Sequence, residues 1–240
     1  KGRPAYYTHS GSAGVTHRIG RVAVTATGTV DRTTYENGVT TTGAVYDLQD
    51  RNVTTYGGKL RGAYEVTPGL TPFVEVAADT RRYDDEIDNA GYRRSSLGAS
   101  VKAGSTFEIT RTLTGEASLG YGGRNYEDGR LANLTGALVD ASLVWQASPL
   151  TKVTMKAASE FLETTTMGSS GAVSRRLTLD VAHDLLRNLT VTGSLGYSAA
   201  AYQGTGNVEQ TASAGVKVDY KIDRNFLIRG SYNYERALSE

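Results

Sequence analysis

The stretch TASAGVKVDYK at residues 211–221 decides the fold, because small or apolar side chains alternate in it with polar ones. Ala214 and Val216 share one parity, and Ser213 and Lys217 share the other. Successive side chains of a β-strand point to opposite faces, so this pattern predicts a strand with one apolar and one polar face. The same alternation recurs in segments 97–108, 172–185 and 225–235.

Internal repetition organises the chain around such strands. Five segments begin alike, at Leu70, Leu113, Leu150, Leu189 and Phe226. Their starts lie roughly 40 residues apart, a spacing that indicates a repeated supersecondary unit. Each unit is interpreted as two strands, one tight turn and one longer loop.

Short and long connections alternate strictly along the predicted strands. The tight turns are expected near 18–20 and at 68–69, 111–112, 148–149, 187–188 and 223–224. The longer polar connections are expected at 36–52, 84–90, 127–131, 165–171 and 204–206. This alternation is typical of outer-membrane barrels, in which short turns face the periplasm and long loops face outside.

The segments between connections predict about twelve strands, each longer than the roughly 5–6 residues of an average soluble strand. We place them near 5–17, 20–35, 53–66, 71–83, 91–108, 112–125, 134–147, 150–163, 172–185, 188–203, 207–221 and 225–237. The predicted fold is all-β, a transmembrane antiparallel up-and-down β-barrel that occupies residues 1–240 as one domain, or a section of a larger barrel. A soluble sandwich or a secreted β-solenoid is the alternative, but the apolar face is rich in Ala, Gly and Val and lacks the large side chains of a shared core.

Composition limits the other classes of function. The 240 residues are 39% hydrophobic, and no apolar stretch approaches the ~18 residues of a transmembrane helix. A net charge of +1 gives no electrostatic argument for a nucleic-acid partner, and the absence of cysteine excludes thiolate metal sites. No apolar signal-peptide core follows Lys1, and the sequence indicates no cofactor.

Aromatic residues collect near the predicted strand ends, where Tyr and Trp suit the lipid headgroup level. Ordinary strand propensity explains aromatic residues within strands but not their preference for the ends. We therefore expect two interfacial girdles in contact with outer-membrane lipid and lipopolysaccharide. The predicted members are Tyr64, Phe107, Trp145, Tyr220 and Phe226 on the short-turn side and Tyr7, Tyr35, Tyr56, Tyr83, Tyr92, Tyr121, Tyr126, Tyr202 and Tyr234 on the long-loop side.

The polar faces of the strands predict the lining of a lumen. Cations and anions balance and intermix on these faces, which favours weak selectivity or an interior filled by salt bridges over a ring of one sign. The predicted lumen-facing charges are Lys59, Arg61, Glu65, Glu75, Lys102, Glu116, Asp140, Lys152, Lys156, Glu160, Arg176, Asp180, Lys217, Asp219, Arg229 and Glu235.

Few residues offer a chemical site. The acidic stretch Asp84, Asp85, Glu86 and Asp88 is a weak candidate for Ca²⁺, although its spacing is not that of an EF-hand and a solvated loop is the simpler interpretation. The chain has three histidines, and their parity places His9, His17 and His183 on the apolar faces. We therefore expect no catalytic residues and no enzyme activity.

Three stretches carry a family resemblance: PGLTPFVEV at 68–76, LTGEASLGY at 113–121 and HDLLRNL at 183–189. They resemble the putative β-barrel porin 2 family of alphaproteobacterial outer-membrane proteins. The resemblance extends from about Tyr7 onward and implies a porin-like protein of the Gram-negative outer membrane. Such barrels usually end on an aromatic residue that the barrel-insertion machinery recognises, whereas this sequence ends on Glu240.

Two functions are open from the sequence. The first is a porin-like passive channel for small hydrophilic solutes. The second is a structural or assembly barrel with a plugged lumen, which anchors lipopolysaccharide, cell-wall or export partners among the envelope proteins. About twelve strands lie between the filled barrels of ~8 strands and the water-filled barrels of ~16–18, so size does not decide.

Overall fold

The computed structural model describes residues 5–39, 45–110, 112–162, 169–222 and 226–239. In chain order the strands are β1 (Tyr6–Ile19), β2 (Val22–Tyr35), β3 (Gly38–Val39), β4 (Val45–Tyr46), β5 (Val53–Tyr64), β6 (Leu70–Tyr83), β7 (Ser96–Thr110), β8 (Leu113–Tyr126), β9 (Leu134–Ser148), β10 (Thr151–Leu162), β11 (Gly171–Leu186), β12 (Leu189–Gln203), β13 (Val208–Lys221) and β14 (Leu227–Ser239). Among the described residues, no helix is long and apolar enough to cross a membrane.

Twelve long strands form one antiparallel sheet, in which every strand pairs with its neighbours in sequence. The short β3–β4 pair stands apart in the connection between β2 and β5. The predicted all-β, up-and-down architecture with about twelve strands is therefore confirmed. The structure refines it in one respect: β1 and β14 are the two edges of an open sheet, so the described residues do not close a cylinder among themselves.

The connections alternate in length, as the sequence pattern predicted. The described short turns include 20–21, 65–69, 149–150 and 187–188, and the long connections include 84–95, 127–133, 204–207 and the described parts of 36–52. These long connections lie at one end of the sheet, which we call the long-loop end. Residues 40–44, 111, 163–168 and 223–225, which carry parts of the predicted connections, lie outside the described residues.

Strand β7 begins five residues later than the alternation predicted. The Asp88 Oδ1 atom accepts hydrogen bonds from the backbone N–H groups of Ala90 (2.9 Å) and Tyr92 (2.8 Å), and Gly91 has a φ of +83°. A carboxylate that binds the backbone of its own loop stabilises a turn over an extended strand. The chain therefore stays in the connection until Ser96.

The two faces of the sheet differ in chemistry. One face exposes apolar and aromatic side chains, for example Leu119 (67%), Leu195 (60%) and Tyr121 (61%). The other face is polar, and its side chains meet across strands that are not neighbours. Arg61 on β5 binds Glu116 on β8 at 2.6 Å, although three strand spacings of ~4.8 Å separate such positions on a flat sheet. The polar face is therefore the concave one, and the apolar face is convex.

The largest buried cluster lies at the long-loop end, where the β10–β11 hairpin bends onto the concave face. We call residues 158–162 and 169–175 of this hairpin the inward tip. Pairing of β10 with β9 ends at Ala157 opposite Ala141, although both strands continue. Phe161 of the tip then packs against the cluster of Tyr126, Leu131 and Leu134, of which Leu134 is fully buried on the concave face of β9. The tip thus forms a second layer inside the curved sheet.

Candidate functional site

The concave face of β5–β8 carries a network of ion pairs centred on Arg61. Its guanidinium binds both carboxylate oxygens of Glu116, at 3.0 and 2.6 Å, and Thr106 donates a further hydrogen bond to Glu116 at 3.0 Å. The guanidinium also lies 3.4 Å from the ring centre of Phe73, a buried residue of β6. Such a stacked, bidentate arrangement fixes an arginine far better than a single exposed ion pair does.

The network continues to Glu75, which lies 3.9 Å from Arg61 and 3.6 Å from Lys59. Glu75 and Lys59 sit on adjacent strands, whereas Arg61 also reaches Glu116 three strands away. One cation therefore ties four strands together across the concavity.

Two further ion pairs bridge strands that are separated by one strand. Lys102 on β7 binds Asp140 on β9 at 2.5 Å. Arg124 on β8 binds Asp79 on β6 and donates a hydrogen bond to Ser96 Oγ at 2.8 Å. Arg124 is only 2% exposed, whereas the Asp79 side chain is 33% exposed, so water reaches this pair only from the carboxylate side. These pairs hold the curvature of β5–β9.

The concave face of β10–β12 is different. Within the described ranges, Lys152, Lys156 and Arg176 have no carboxylate within ion-pair distance. Beside them lies a polar groove of about 330 Å³ across β11–β14, lined by Arg176, Thr178, Ser198, Thr211, Ser213 and Glu235. Charged and hydroxyl groups that are open to water in this way can exchange hydrogen bonds with a passing solute.

The structure places fourteen of the sixteen predicted lumen charges on the concave face of the wall by their register. They follow the parity of Arg61 on β5 and of its paired neighbours around the sheet, as far as Asp219, which is opposite Arg229. Glu160 lies on the inward tip, beyond the last β10 residue that pairs with β9. Glu65 corrects the prediction. β5 ends at Tyr64, and the Glu65 backbone N–H donates to Arg21 O, so Glu65 belongs to the turn at the short-turn end.

The short-turn aromatics lie where the sequence placed them, on the convex side. Tyr64, Trp145 and Tyr220 are 48%, 50% and 40% exposed on that face, Phe107 shares it, and Phe226 is exposed just before β14. The convex face also carries Tyr197, near the middle of β12, which is not among the predicted members. Its hydroxyl donates to Gln210 Oε1 at 3.1 Å.

The long-loop aromatics require a correction. Tyr83, Tyr126 and Tyr202 share parity with concave residues, and Tyr126 is buried in the cluster beneath the inward tip. Tyr92 lies in the connection after β6 and packs against the same cluster. Distance from the strand end was the criterion in the sequence, and parity decides the face. Three other predicted members, Tyr7, Tyr56 and Tyr234, lie on the convex face at this end.

Three carboxylates of the acidic stretch each bind a different arginine. Asp84 binds Arg32 at 2.5 Å and Glu86 binds Arg93 at 2.9 Å. Arg94 donates to the Asp88 carboxylate, which also accepts a hydrogen bond from the backbone N–H of Tyr92 and so fixes the loop. The described residues contain no group of three or more His, Cys, Asp or Glu side chains that could hold a metal ion. The weak Ca²⁺ candidate is thus replaced by individual ion pairs, and Asp85 is exposed beside them.

Hydrogen bonding stabilises the charged form of these loop carboxylates. The bidentate contact with Arg32 lowers the pKa of Asp84. Partial burial opposes ionisation of Asp88, but the N–H of Tyr92 and the guanidinium of Arg94 outweigh it and lower its pKa. The Arg130 side chain, together with two backbone N–H groups, holds the pKa of Asp128 far below its usual range. The long-loop end is therefore ordered by charge.

The histidines give no catalytic geometry. His9 and His17 lie on the convex parity of β1, as their alternation predicted. His183 Nδ1 lies 2.9 Å from the Thr151 hydroxyl at the short-turn end of β10–β11. A hydroxyl beside an imidazole without an orienting carboxylate is an ordinary cross-strand contact.

The fold is similar to that of solved structures of an iron transporter, a siderophore receptor and a ferric-catecholate import receptor. The chain matches the FrpB iron transporter of Neisseria meningitidis (TM-score 0.60, 7% identity), covering 97% of this chain and 44% of that one. It matches the siderophore receptor PiuA of Acinetobacter baumannii (0.58, 10%, covering 97% and 47%) and the ferric-catecholate import receptor Fiu of E. coli K12 (0.54, 11%, covering 97% and 46%). Identity this low shows the fold alone, and the chain spans less than half the length of each.

The sequence comparisons concern the family. No curated protein matches this chain in sequence. One family model matches it from the first residue to the last, residues 1–240. The chain belongs to the putative β-barrel porin 2 family.

Proposed function

We propose that this sheet forms part of the wall of a passive channel in the Gram-negative outer membrane, along which small hydrophilic solutes move. The observation that carries the proposal is the separation of the two faces. A convex face of exposed Leu, Val and Tyr side chains is unfavourable in water and suits hydrocarbon, whereas the concave face offers charges and hydroxyls to a solute.

The strand lengths support a membrane-spanning wall. The long strands contain 12 to 16 residues. A strand of about 14 residues is ~47 Å long and, tilted by ~40°, rises ~36 Å along the barrel axis. That height exceeds the ~30 Å hydrocarbon core and leaves the strand ends at the headgroups. Trp145 and Tyr220 then lie at the interface on the short-turn side.

The test is ion conductance of the full-length protein in planar lipid bilayers, with liposome swelling in sugars of increasing size. We expect stepwise conductance and admission of small sugars. Protein-free detergent at the same dilution is the control. A folded, correctly inserted preparation that never conducts would refute the channel.

A structural barrel is the second candidate, because the ion-pair network and the inward tip occupy part of the concave space. In this candidate the lumen is closed and the protein anchors lipopolysaccharide or an envelope partner. It predicts co-purification of a stoichiometric partner and no conductance. The two measurements on one preparation therefore separate the candidates. Both require insertion into the outer membrane by the barrel-insertion machinery.

A further inference from the structure

Beyond Ala157 the backbones of β9 and β10 no longer pair, and the side chain of Ser159 lies between them. Beyond the last paired residues, the Val139 N–H donates to Ser159 Oγ at 3.0 Å, and Ser159 Oγ donates to Val139 O at 3.1 Å. These are the backbone groups that the neighbouring strand would otherwise satisfy. The Ser159 hydroxyl therefore takes the place of two backbone hydrogen bonds between the strands, and the Ser159 side chain separates the backbone of β10 from that of β9.

A second side chain covers the next position along the β9 edge. Arg175 Nη2, on the inward tip, donates to Ala137 O at 3.5 Å. An unsatisfied backbone group within a bilayer is strongly unfavourable, so a strand edge exposed there needs such substitutes. Because Ser159 and Arg175 bond to these backbone groups of β9, they lower the free-energy cost of separating the tip from the wall.

The tip reaches far across the concave face. Arg81 on β6 donates to Phe161 O at 3.2 Å, although β7, β8 and β9 lie between β6 and β10. Val173 lies over Gly136, where a Cβ atom would be 3.3 Å from Val173 Cγ2. The convex-parity side chains of the tip thus pack on the concave faces of β8 and β9.

The sequence of the tip is also compatible with pairing to β9 in the wall. Continuation of the β9–β10 register beyond Ala157 would place Ser159 opposite Val139 and Phe161 opposite Ala137. In that register Phe161 and Val139 would face lipid, and Glu160 would face the concave side. The tip can therefore lie either over the concave face, as it does here, or in the wall beside β9. Residues 199–203 of β12, which pair with residues 171–175 of the tip, would move with it.

We infer that the inward tip is the constriction of the pore, and that its return to the wall beside β9 widens the passage. The inference rests on the proposed channel function and names the element that sets the size of the solute. Arg81 and the apolar cluster under Phe161 hold the narrow position. Pairing with β9 would hold the wide one.

Cysteine pairs test the two positions separately, because the chain has no cysteine of its own. For the narrow position we choose Gly136→Cys with Val173→Cys, since the two Cβ positions are 4.0 Å apart and disulfides need ~3.5–4.5 Å. We expect this pair to oxidise readily in the folded full-length protein. Its conductance should equal or fall below that of the reduced sample.

For the wide position we choose Ala137→Cys with Phe161→Cys, oxidised during refolding. We expect conductance at least about twofold above that of the same sample after reduction, because a wider constriction passes more ions, and admission of larger sugars. The matched control is Leu195→Cys with Ala214→Cys, a cross-strand pair on the convex face of β12–β13. Its oxidation should leave conductance unchanged.

The outcomes distinguish the claims. If the Gly136/Val173 pair stays reduced while the control pair oxidises, the tip does not occupy the concave face and the inference fails. If the Ala137/Phe161 pair fails to oxidise, or oxidises with no more effect than the control, the tip does not set the pore width and the inference fails. If the unmodified protein never conducts, the channel proposal itself fails, whatever the cysteines do.

Discussion

The two halves of the concave face use the same residue types in different ways. On β5–β9, Arg61, Lys102 and Arg124 each bind a carboxylate on a non-adjacent strand. On β10–β12, Lys152, Lys156 and Arg176 have no such partner among the described residues. The difference teaches that a charge on the inner face either fixes the curvature of the wall or remains available to a solute. We expect stability to depend on the first half and permeation on the second.

The largest effect should come from Arg124, which is shielded from water and paired with Asp79. Arg124→Ala removes a buried side chain together with its bonds to Asp79 and Ser96, and we expect a loss of about 3 kcal/mol in the free energy of unfolding. Urea unfolding followed by the gel shift of folded against unfolded barrel measures it. Arg176→Ala is the matched control and should change stability by less than about 0.5 kcal/mol. Equal losses would abolish the proposed division between halves.

Leu134 offers a slightly smaller effect on the same half. It is fully buried where the inward tip covers β9, so Leu134→Ala leaves a cavity and should destabilise the protein by about 2–3 kcal/mol. The same unfolding assay applies. Leu119→Ala, on the exposed convex face, is its control, and a larger loss there would show that the convex face is the packed one.

Charge reversal should sharpen the comparison on the open half. Lys156→Glu changes an unpaired concave charge, and we expect the cation-to-anion permeability ratio to rise roughly twofold. Reversal potentials in a salt gradient across a planar bilayer give this ratio. The turn residue Arg187, changed to Glu, is the control away from the concave face. A selectivity shift that is the same for both would remove β10–β12 from the path of the solute.

The smallest effect concerns pH at the long-loop end. The pKa of Asp128 lies below its unfolded value of ~3.9, so its contribution to stability is fully present above that value and is lost as pH falls through the folded pKa. Carbon-13 NMR of the carboxylate should show Asp128 still ionised at pH ~4. Arg130→Ala should move the titration midpoint upward. An unchanged midpoint would mean that Arg130 is not the cause.

Local pattern predicted the strands and their faces well, since period-two alternation placed Lys59 and Arg61 on the concave side without any knowledge of partners. It failed where the chain leaves the regular ladder. Glu65 continues the alternation of β5 by parity, but the strand has already ended. Tyr126 lies at a strand end, yet its parity points inward and the tip buries it.

The inward tip could not be predicted from its own residues. Residues 158–162 keep an alternation compatible with pairing to β9, so nothing local indicates that they leave it. Whether these residues leave β9 depends on Ser159, Arg175 and Arg81, whose side chains bond to backbone groups of other strands. Hydrogen bonds of this kind appear only after the sheet has curved.

Because short and long connections alternate, the two ends of the sheet differ, and a label in a long connection marks one end alone. The β12–β13 connection at 204–207 carries two glycines with positive φ, Gly204 and Gly206, and none of its residues takes part in an ion pair within the described part of the chain. An epitope spliced there would decorate a single end of the molecule. Antibody staining of intact against permeabilised cells would then report the orientation of the whole wall.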